Sequence, residues 1–584
     1  MVDLGAHYLS GVHRFLQTAI VIDDQAEFAP VTRAIASVEL PAPTGSLLNR
    51  AAALAEKAAP EQPANDSLDS PAPPDSDAEA GEGETSDDGD GEVGLNAKVL
   101  SEAFLAKNMI CGLYRPTTGD NMVESTTGAA RQADIVVVDW YLEEGSSRAA
   151  KDIILSLLKA DAEENGRLRL VAVYTSQPGR ADMAADLLNE IEGEASLKGK
   201  LRAEGPALIG GDTRIVFINK RGTAPSADLD EVLEADLPGR LMEEFAKLSD
   251  GLLATFAISA VAAIRRGAHH VLALYTKDLD GAYVAHRSAL PDPDDAISFA
   301  ADLISSELKN LIELDDTAAR NLKAEVVEAW LARLADGGHT FRTDHAEVPA
   351  AEVKKFITGG AEAVKNSQNR HHVHGNPASQ AAKAKRVSPG ALPRIFYADA
   401  VSATQATRLL ARLATFQRER IGRARLPSHW QPTLTLGTVI QAFPAGETPE
   451  LMLCMQPRCD SVRLKQAFAF PFQTIDCTRT DFNIVLRDVA GDAREAWVNL
   501  KPRDSRMIAF NPNAATRTVR AVLEDGVLVF IDDQGAKYAW LGDLKEMKAQ
   551  KWAGDLGGRV LGVGLDDFEW LRTAAERQIS KDWT

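Results

Sequence analysis

Runs of consecutive apolar, β-branched residues alternate with amphipathic stretches along the first 225 residues. The runs are "TAIVI" (18–22), "MICGLY" (109–114), "ADIVVVDWYL" (133–142), "LRLVAVYTSQ" (168–177) and "TRIVFINKRG" (213–222). Between them, "KVLSEAFLAKN" has helical character, Ala150, Ile154, Leu157 and Leu158 recur at helical spacing, and Met183, Leu187, Leu188 and Ile191 share one helical face. Uninterrupted apolar strands separated by amphipathic helices predict a parallel sheet covered on both faces. The expectation is a five-stranded, doubly wound domain over 1–235. Beyond it the period becomes helical. Leu241, Phe245, Leu248, Leu252 and Phe256 predict one long helix over 238–267, and helices at 294–314 and 316–336 follow, giving a helical module over 236–390. From residue 430 the pattern shortens to "TLGTVIQAF", "ELMLCMQ", "SVRLKQAFAF", "FNIVLRD", "EAWVNL", "TRTVRAVLE" and "VLVFID", broken by turn residues and closed by a helix. This predicts a small antiparallel sheet or barrel within a β-rich α+β domain over 391–584. The chain is therefore expected to be multidomain, α/β plus α+β.

Composition adds one segment and removes several function classes. At 584 residues the chain exceeds one core, and its net charge of -20 opposes a protein that coats nucleic acid generally. Residues 58–94 are almost entirely Pro, Ser, Gly, Ala, Asp and Glu, too poor in apolar area to offset ordering entropy, and are expected to be a disordered acidic insertion. Cys111, Cys454, Cys459 and Cys477 are irregularly spaced, which predicts buried thiols rather than a disulfide framework or a zinc site. The N-terminal residues lack a basic segment followed by an apolar core, and the longest apolar run, 252–264, is too short to span a bilayer. A soluble, reducing, cytoplasmic setting without membrane contact is expected.

Candidate chemistry begins with "TAIVIDDQ". Adjacent carboxylates at a strand end raise each other's pKa unless a positive charge relieves them. The same "IDDQ" recurs at 531–534, followed by Gly535 and a second strand-like run, and there reads as a hairpin turn. The N-terminal copy differs by its company. Ligands in parallel α/β sheets bind at the carboxyl ends of strands, and those ends carry Asp23-Asp24, Asp139, Thr175 and Lys220. A carboxylate can accept a phosphoryl group. Clustered carboxylates suit Mg²⁺, which takes oxygen ligands, and a hydroxyl and a lysine can contact phosphoryl oxygens.

In order and residue type these elements resemble the receiver domain of two-component response regulators, over roughly residues 15–225. The resemblance implies Asp139 as the phosphorylated aspartate, Asp23, Asp24, Asp139 and the carbonyl of Tyr141 as Mg²⁺ ligands, and Thr175 and Lys220 as phosphate-sensing residues. It implies Phe217 as the switch aromatic and a histidine-kinase-like protein as phosphodonor. Three features depart from the family: Arg221 and Gly222 replace the usual proline after the lysine, the acidic insertion separates the first two strands, and Trp140 is bulky.

Three further segments are candidates. "NRHHVHGN" brings together His371, His372 and His374, without carboxylate or cysteine partners nearby. Residues 383–425 are basic, with Lys383, Lys385, Arg386, Arg408, Arg412, Arg418, Arg420, Arg423 and Arg425. A solvated helix face is the simplest reading; Arg408, Arg412 and Arg418 are the candidates for nucleic acid, an acidic partner or the acidic insertion. The helical module offers a surface for a homodimer. A large chain with a receiver and an unfamiliar C-terminal half also resembles, in architecture, receiver proteins of bacterial phage-defence operons. The leading function is a phosphoacceptor signalling protein, acting through its helical and C-terminal modules or as a phosphate sink, and not an enzyme. The rivals are a degenerate receiver that binds partners without phosphate, and a Mg²⁺-dependent phosphohydrolase.

Overall fold

The computed structural model of the chain describes residues 2–27, 95–116, 122–143, 145–164, 166–290, 293, 295–343, 347–366, 391–420, 426–427, 430–443 and 450–561. The acidic insertion 58–94, the histidines at 371, 372 and 374, and Lys383, Lys385, Arg386, Arg423 and Arg425 lie outside the described residues.

The N-terminal elements are α1 (Leu4–Phe15), β1 (Thr18–Ile22), α2 (Ala97–Ala106), β2 (Ile110–Tyr114), α3 (Met122–Gln132), β3 (Ile135–Val138), α4 (Arg148–Glu163), β4 (Arg169–Thr175), α5 (Arg180–Gly193), β5 (Arg202–Glu204), β6 (Ala207–Ile209), β7 (Thr213–Asn219) and α6 (Leu237–Leu248). The sheet runs β2-β1-β3-β4-β7-β6-β5. Its first five strands are parallel, and the β5–β6 hairpin adds antiparallel to β7. β3, β4 and β7 are buried throughout, which is why they are continuous apolar runs, whereas edge strand β2 leaves Ile110 71% exposed. The chain leaves β1 for β2 on one side and returns to β3 on the other, so the topological switch point lies between β1 and β3.

Helices cover both faces. α3, α4 and α5 pack on Val136, Val138, Val171, Val173 and Phe217. α1, α2 and α6 cover Val21, Val137, Tyr174 and Ile218. Residues Leu237, Leu241, Met242 and Phe245 of α6 join that core, so this helix is a layer of the sheet. The single helix expected over 238–267 is two, α6 and α7 (Leu252–Leu274), interrupted at Ser249-Asp250-Gly251, residues of low helix propensity. Arg265 of α7 grips the opposite end of the sheet. It donates to both carboxylate oxygens of Asp134 and to the carbonyl of Phe15 at 2.9 Å, and its guanidinium stacks 4.3 Å over the Phe15 ring.

The middle continues as α8 (Asp280–Ala289), α9 (Asp295–Leu314), α10 (Thr317–Leu322), α11 (Ala324–Asp336), α12 (Ala350–Asn366), α13 (Leu392–Ile395) and α14 (Ala400–Thr415). The helix expected over 316–336 breaks at Lys323, whose backbone is extended. α7 and α9 lie close together at Gly267, where a Cβ would sit 2.6 Å from Leu311. Among the described residues no helix is long and apolar enough to cross a membrane.

The C-terminal strands are β8 (Phe416–Glu419), β9 (Thr438–Phe443), β10 (Leu451–Cys454), β11 (Phe468–Asp476), β12 (Ile484–Arg487), β13 (Ala493–Val498), β14 (Ser505–Phe510), β15 (Val522–Glu524), β16 (Val527–Ile531) and β17 (Lys537–Leu544), and α15 (Glu546–Leu561) follows. Strands β16-β17-β9-β10-β11-β14 pair in that order, antiparallel, and a bridge between Phe510 and Asp532 joins the last to the first. The result is a small barrel filled by Ile440, Met452, Phe470, Phe472, Phe510, Phe530 and Trp540. The opposite faces of β9 and β10 pack Val439, Leu451 and Leu453 with the β12–β13 hairpin and Trp552 of α15. Two expected strands are shorter than their apolar pattern. Residues 461–466 are bends and irregular backbone, with Arg463 at positive φ, and 516–519 precede the short β15. Strands β8, with three consecutive polar residues, and β14, which opens on Ser505 and Arg506, were not expected. The four cysteines are free thiols, but only Cys454 is buried, because the others sit on an edge strand or in surface turns.

Phe245→Ala removes a fully buried ring between α6 and the sheet. It should cost about 3–5 kcal/mol, measured by denaturant unfolding.

Candidate functional site

The site is built from strand register. Ile22 of β1 pairs with Val138 of β3, so the next residues, Asp23 and Asp139, emerge side by side at the switch point. The Asp139 amide donates to the carbonyl of Ile22 at 2.9 Å, and the Asp23 amide donates to Tyr114 at 3.1 Å. On the next two strands, β4 and β7, Thr175 pairs with Asn219, and the amide of Lys220 donates to the Thr175 carbonyl at 2.8 Å. The Lys220 side chain then crosses the strand ends. Its Nζ donates to Asp23 Oδ2 at 2.7 Å and to Asp139 Oδ2 at 2.6 Å. Asp23, Asp139, Thr175 and Lys220 are all buried.

One ammonium faces three carboxylates. Asp23, Asp24 and Asp139 each offer an oxygen within 4.8 Å of the others, the one such cluster among the described residues. Asp23 Oδ1 accepts from the Gln25 amide at 2.9 Å, while Asp24 Oδ1 is buried without a hydrogen-bond partner. Burial pushes the Asp23 carboxyl above the usual range; Lys220 opposes this and Asp139 adds to it. Burial and then the Asp139 charge push Asp24 up as well. For Lys220, burial disfavours the charge, but Asp139 and Asp23 outweigh it and hold the ammonium above its ordinary value. The excess negative charge, the all-oxygen donor set and the unpartnered Asp24 oxygen fit a hard divalent cation such as Mg²⁺.

The remaining expected residues surround this cluster. Trp140 turns away from Asp139 into the core and meets the ring of Phe217 edge-on at 5.9 Å. Tyr141 is half-buried against the same core, two residues beyond Asp139. Arg221 and Gly222 do stand where a proline was looked for. Gly222 adopts positive φ, and Thr223 Oγ1 donates to the Lys220 carbonyl at 2.7 Å, closing a turn. Two polar neighbours were missed. Arg115, at the end of β2, draws the Asp24 pKa downward and pairs with Glu27 at 3.2 Å. Asn219 is buried with every polar group engaged. The signal for both was available: they end strands, as the acids do.

The basic candidates among the described residues are engaged within the chain. Arg408 meets Glu495 at 2.9 Å, Arg412 meets Glu419 at 2.8 Å, and Arg418 lies 3.9 Å from Asp543 and over the Trp430 ring. Arg420 donates to the carbonyls of Asp488 and Val489.

Comparison with known proteins agrees with the geometry. Residues 15–225 match the family model of the response receiver domain. This part of the chain is a receiver domain. No curated protein and no solved structure matches the chain. The receiver match spans β1 to β7 and includes all the acids, Thr175 and Lys220.

Removing Lys220 leaves buried carboxylates uncompensated, so Lys220→Met should lose about 3–5 kcal/mol of stability in metal-free buffer. Mg²⁺ should restore more stability to this variant than to wild type in thermal unfolding. Asp24→Asn should do the reverse: the metal-free protein becomes more stable and Mg²⁺ stabilises it less. Because the folded-state pKa values of Asp23 and Asp24 are raised, the folded protein binds more protons. Their contribution to metal-free stability should therefore fall as pH rises from the usual carboxylate range through the raised values. Unfolding titrations across that range, with and without Mg²⁺, check this.

Proposed function

We propose that the receiver accepts a phosphoryl group on Asp139 from a phosphohistidine of a histidine-kinase-like partner. The observation that carries this is the buried Lys220 ammonium bridging Asp23 and Asp139 beside a third carboxylate. An Asp139 carboxylate oxygen bonds to phosphorus as the phosphorus–nitrogen bond of the donor breaks, and the departing imidazole takes its proton from solvent. Asp23, Asp24, Asp139 and the Tyr141 carbonyl are the residues that would hold Mg²⁺, which supplies positive charge opposite the phosphoryl oxygens. Lys220 and Thr175 contact those oxygens and report the modification. The convergence of Asp23, Asp24, Asp139 and Lys220 supports this reading over a degenerate receiver. The chain acts as a signalling protein in a cytoplasmic two-component pathway, not as an enzyme on external substrates. Its output is either control of the helical and C-terminal modules or service as a phosphate sink. A place in bacterial defence rests on architecture alone. Nucleic acid has no part in the proposal, since Arg408, Arg412 and Arg418 already face carboxylates.

Self-association belongs to the same reading. α8 buries no residue and α9 buries only Ala296, while Leu272, Leu274, Ile297, Phe299, Leu303 and Ile304 stand exposed along one arm. An amphipathic helix needs a packing partner, and two α7–α9 hairpins would complete a four-helix arrangement.

Wild type incubated with acetyl phosphate and Mg²⁺ should gain the mass of one phosphoryl group, and Asp139→Asn should gain none while keeping its fold. Rapid release of phosphate from unrelated esters would instead identify a hydrolase. By light scattering wild type should dimerise as concentration rises, and Leu303→Glu with Ile304→Glu should stay monomeric.

A further inference from the structure

Asn219, the residue before the site lysine, joins three segments. Its amide donates to the carbonyl of Asp230 at 2.8 Å, and its carbonyl accepts from the Val232 amide at 2.9 Å. Its side chain donates to the Gln177 carbonyl at 2.8 Å and accepts from the Asp230 amide at 3.1 Å. Gln177 is two residues from Thr175, so both groups assigned to sensing phosphate are within two residues of this node. The partners Asp230 and Val232 belong to the segment 221–236, which folds back along the end of β7. Tyr174 fixes it further, its hydroxyl donating to the Val232 carbonyl at 2.8 Å.

Asp230 carries the connection outward. Its Oδ2 accepts from Arg180 at 2.9 Å and from Arg240 at 3.0 Å. Arg180 begins α5 and also donates to the carbonyls of Phe217, at 3.0 Å, and Asp228. Arg240 lies on α6 and is shared with Glu244 at 3.0 Å. Glu244 is buried and held by Arg214 of β7 and Lys247, each at 2.7 Å. Arg240 thus stands between two carboxylates, one on the segment and one on its own helix. The contact to Asp230 can therefore be lost while the contact to Glu244 remains. The aromatic neighbour lies off this path: the Phe217 ring is buried in the core against Trp140, and its carbonyl accepts from Arg180.

We propose that segment 221–236 is the receiver's output strap, carrying a change at Lys220 through Asn219 and Asp230 to Arg240 and α6, without rotation of Phe217. The inference rests on the phosphoacceptor reading of Asp139. A phosphoryl group on Asp139 places new anionic oxygens where Lys220 now binds Asp139 Oδ2, and Lys220 follows them. Asn219, one peptide away, moves with it and shifts Asp230. Arg240 then loses Asp230 and keeps Glu244, and the tie between the segment and α6 is released.

The test is hydrogen exchange by mass spectrometry on the full chain, with and without acetyl phosphate and Mg²⁺, with intact mass read on the same samples. Phosphorylated wild type should change exchange in both 221–236 and 237–248. Asp230→Asn and, on the half-exposed side, Arg240→Gln should take up phosphate as wild type does yet lose the change in 237–248. Phe217→Leu should keep it. Phosphorylated wild type with an unresponsive α6, or an Asp230→Asn variant with the full α6 response, overturns the strap and leaves the phosphoacceptor reading standing. An unmodified wild type removes that reading, and the strap with it; the intact mass separates the two failures.

Discussion

A buried ammonium held between two buried carboxylates organises the N-terminal half of this chain. Burying a charge is tolerable only when it is paired and hydrogen-bonded, and Lys220, Asp23 and Asp139 satisfy one another only if their three strands end at one level. That requires β1 beside β3, with β7 close enough for a lysine to cross β4. Slipping any of these strands would strand a carboxylate or the ammonium. The pairing is also incomplete, because Asp24 adds a third carboxylate whose Oδ1 has no hydrogen-bond partner. The site thus pairs most of its buried charge and is still short of positive charge.

The two "IDDQ" segments show how far a motif can be read alone. Asp23 Oδ1 accepts from the amide of Gln25, and Asp532 Oδ1 accepts in the same way from Gln534 and again from Ala536. Locally the two are nearly the same turn. They differ in the second oxygen. Asp23 Oδ2 is buried against Lys220, whereas Asp532 Oδ2 lies 3.4 Å from the Tyr538 hydroxyl in a hairpin closed by Gly535 at positive φ. The distinction was legible only because Asp139, Thr175 and Lys220 also end apolar runs. Strands buried on both faces announce themselves by composition, and their last residues announce the site.

What stayed hidden lacks such periodicity. The β5–β6 hairpin has strands of three residues each, too short for a pattern. β8 is mostly polar and β14 begins with polar residues, so neither shows an apolar run, while 461–466 looked strand-like and is bends and irregular backbone. The segment 221–236 is polar and irregular, so nothing in it marks Asp230 as the partner of two arginines. The basic stretch misled in the opposite direction. Several of its arginines are spent on Glu495, Glu419 and Asp543, so a cluster in sequence becomes dispersed ion pairs that fasten α14, β8 and the barrel.

On the proposed reading, the same charges constrain how a signal leaves the site. A conformational change can be no larger than the difference in contacts between its two states. In the present state Lys220 spends its bonds on Asp23 and Asp139, so a phosphoryl group on Asp139 alters the contacts of this residue before any other. The aromatic pair beside it, Phe217 against Trp140, is buried in the core. The backbone of Lys220 continues directly into Asn219 on one side and into the Gly222 turn on the other. Movement at the lysine therefore falls on a polar, hydrogen-bonded segment, where Arg240 can lose Asp230 and keep Glu244, and not on the apolar core, where any displacement opens a cavity.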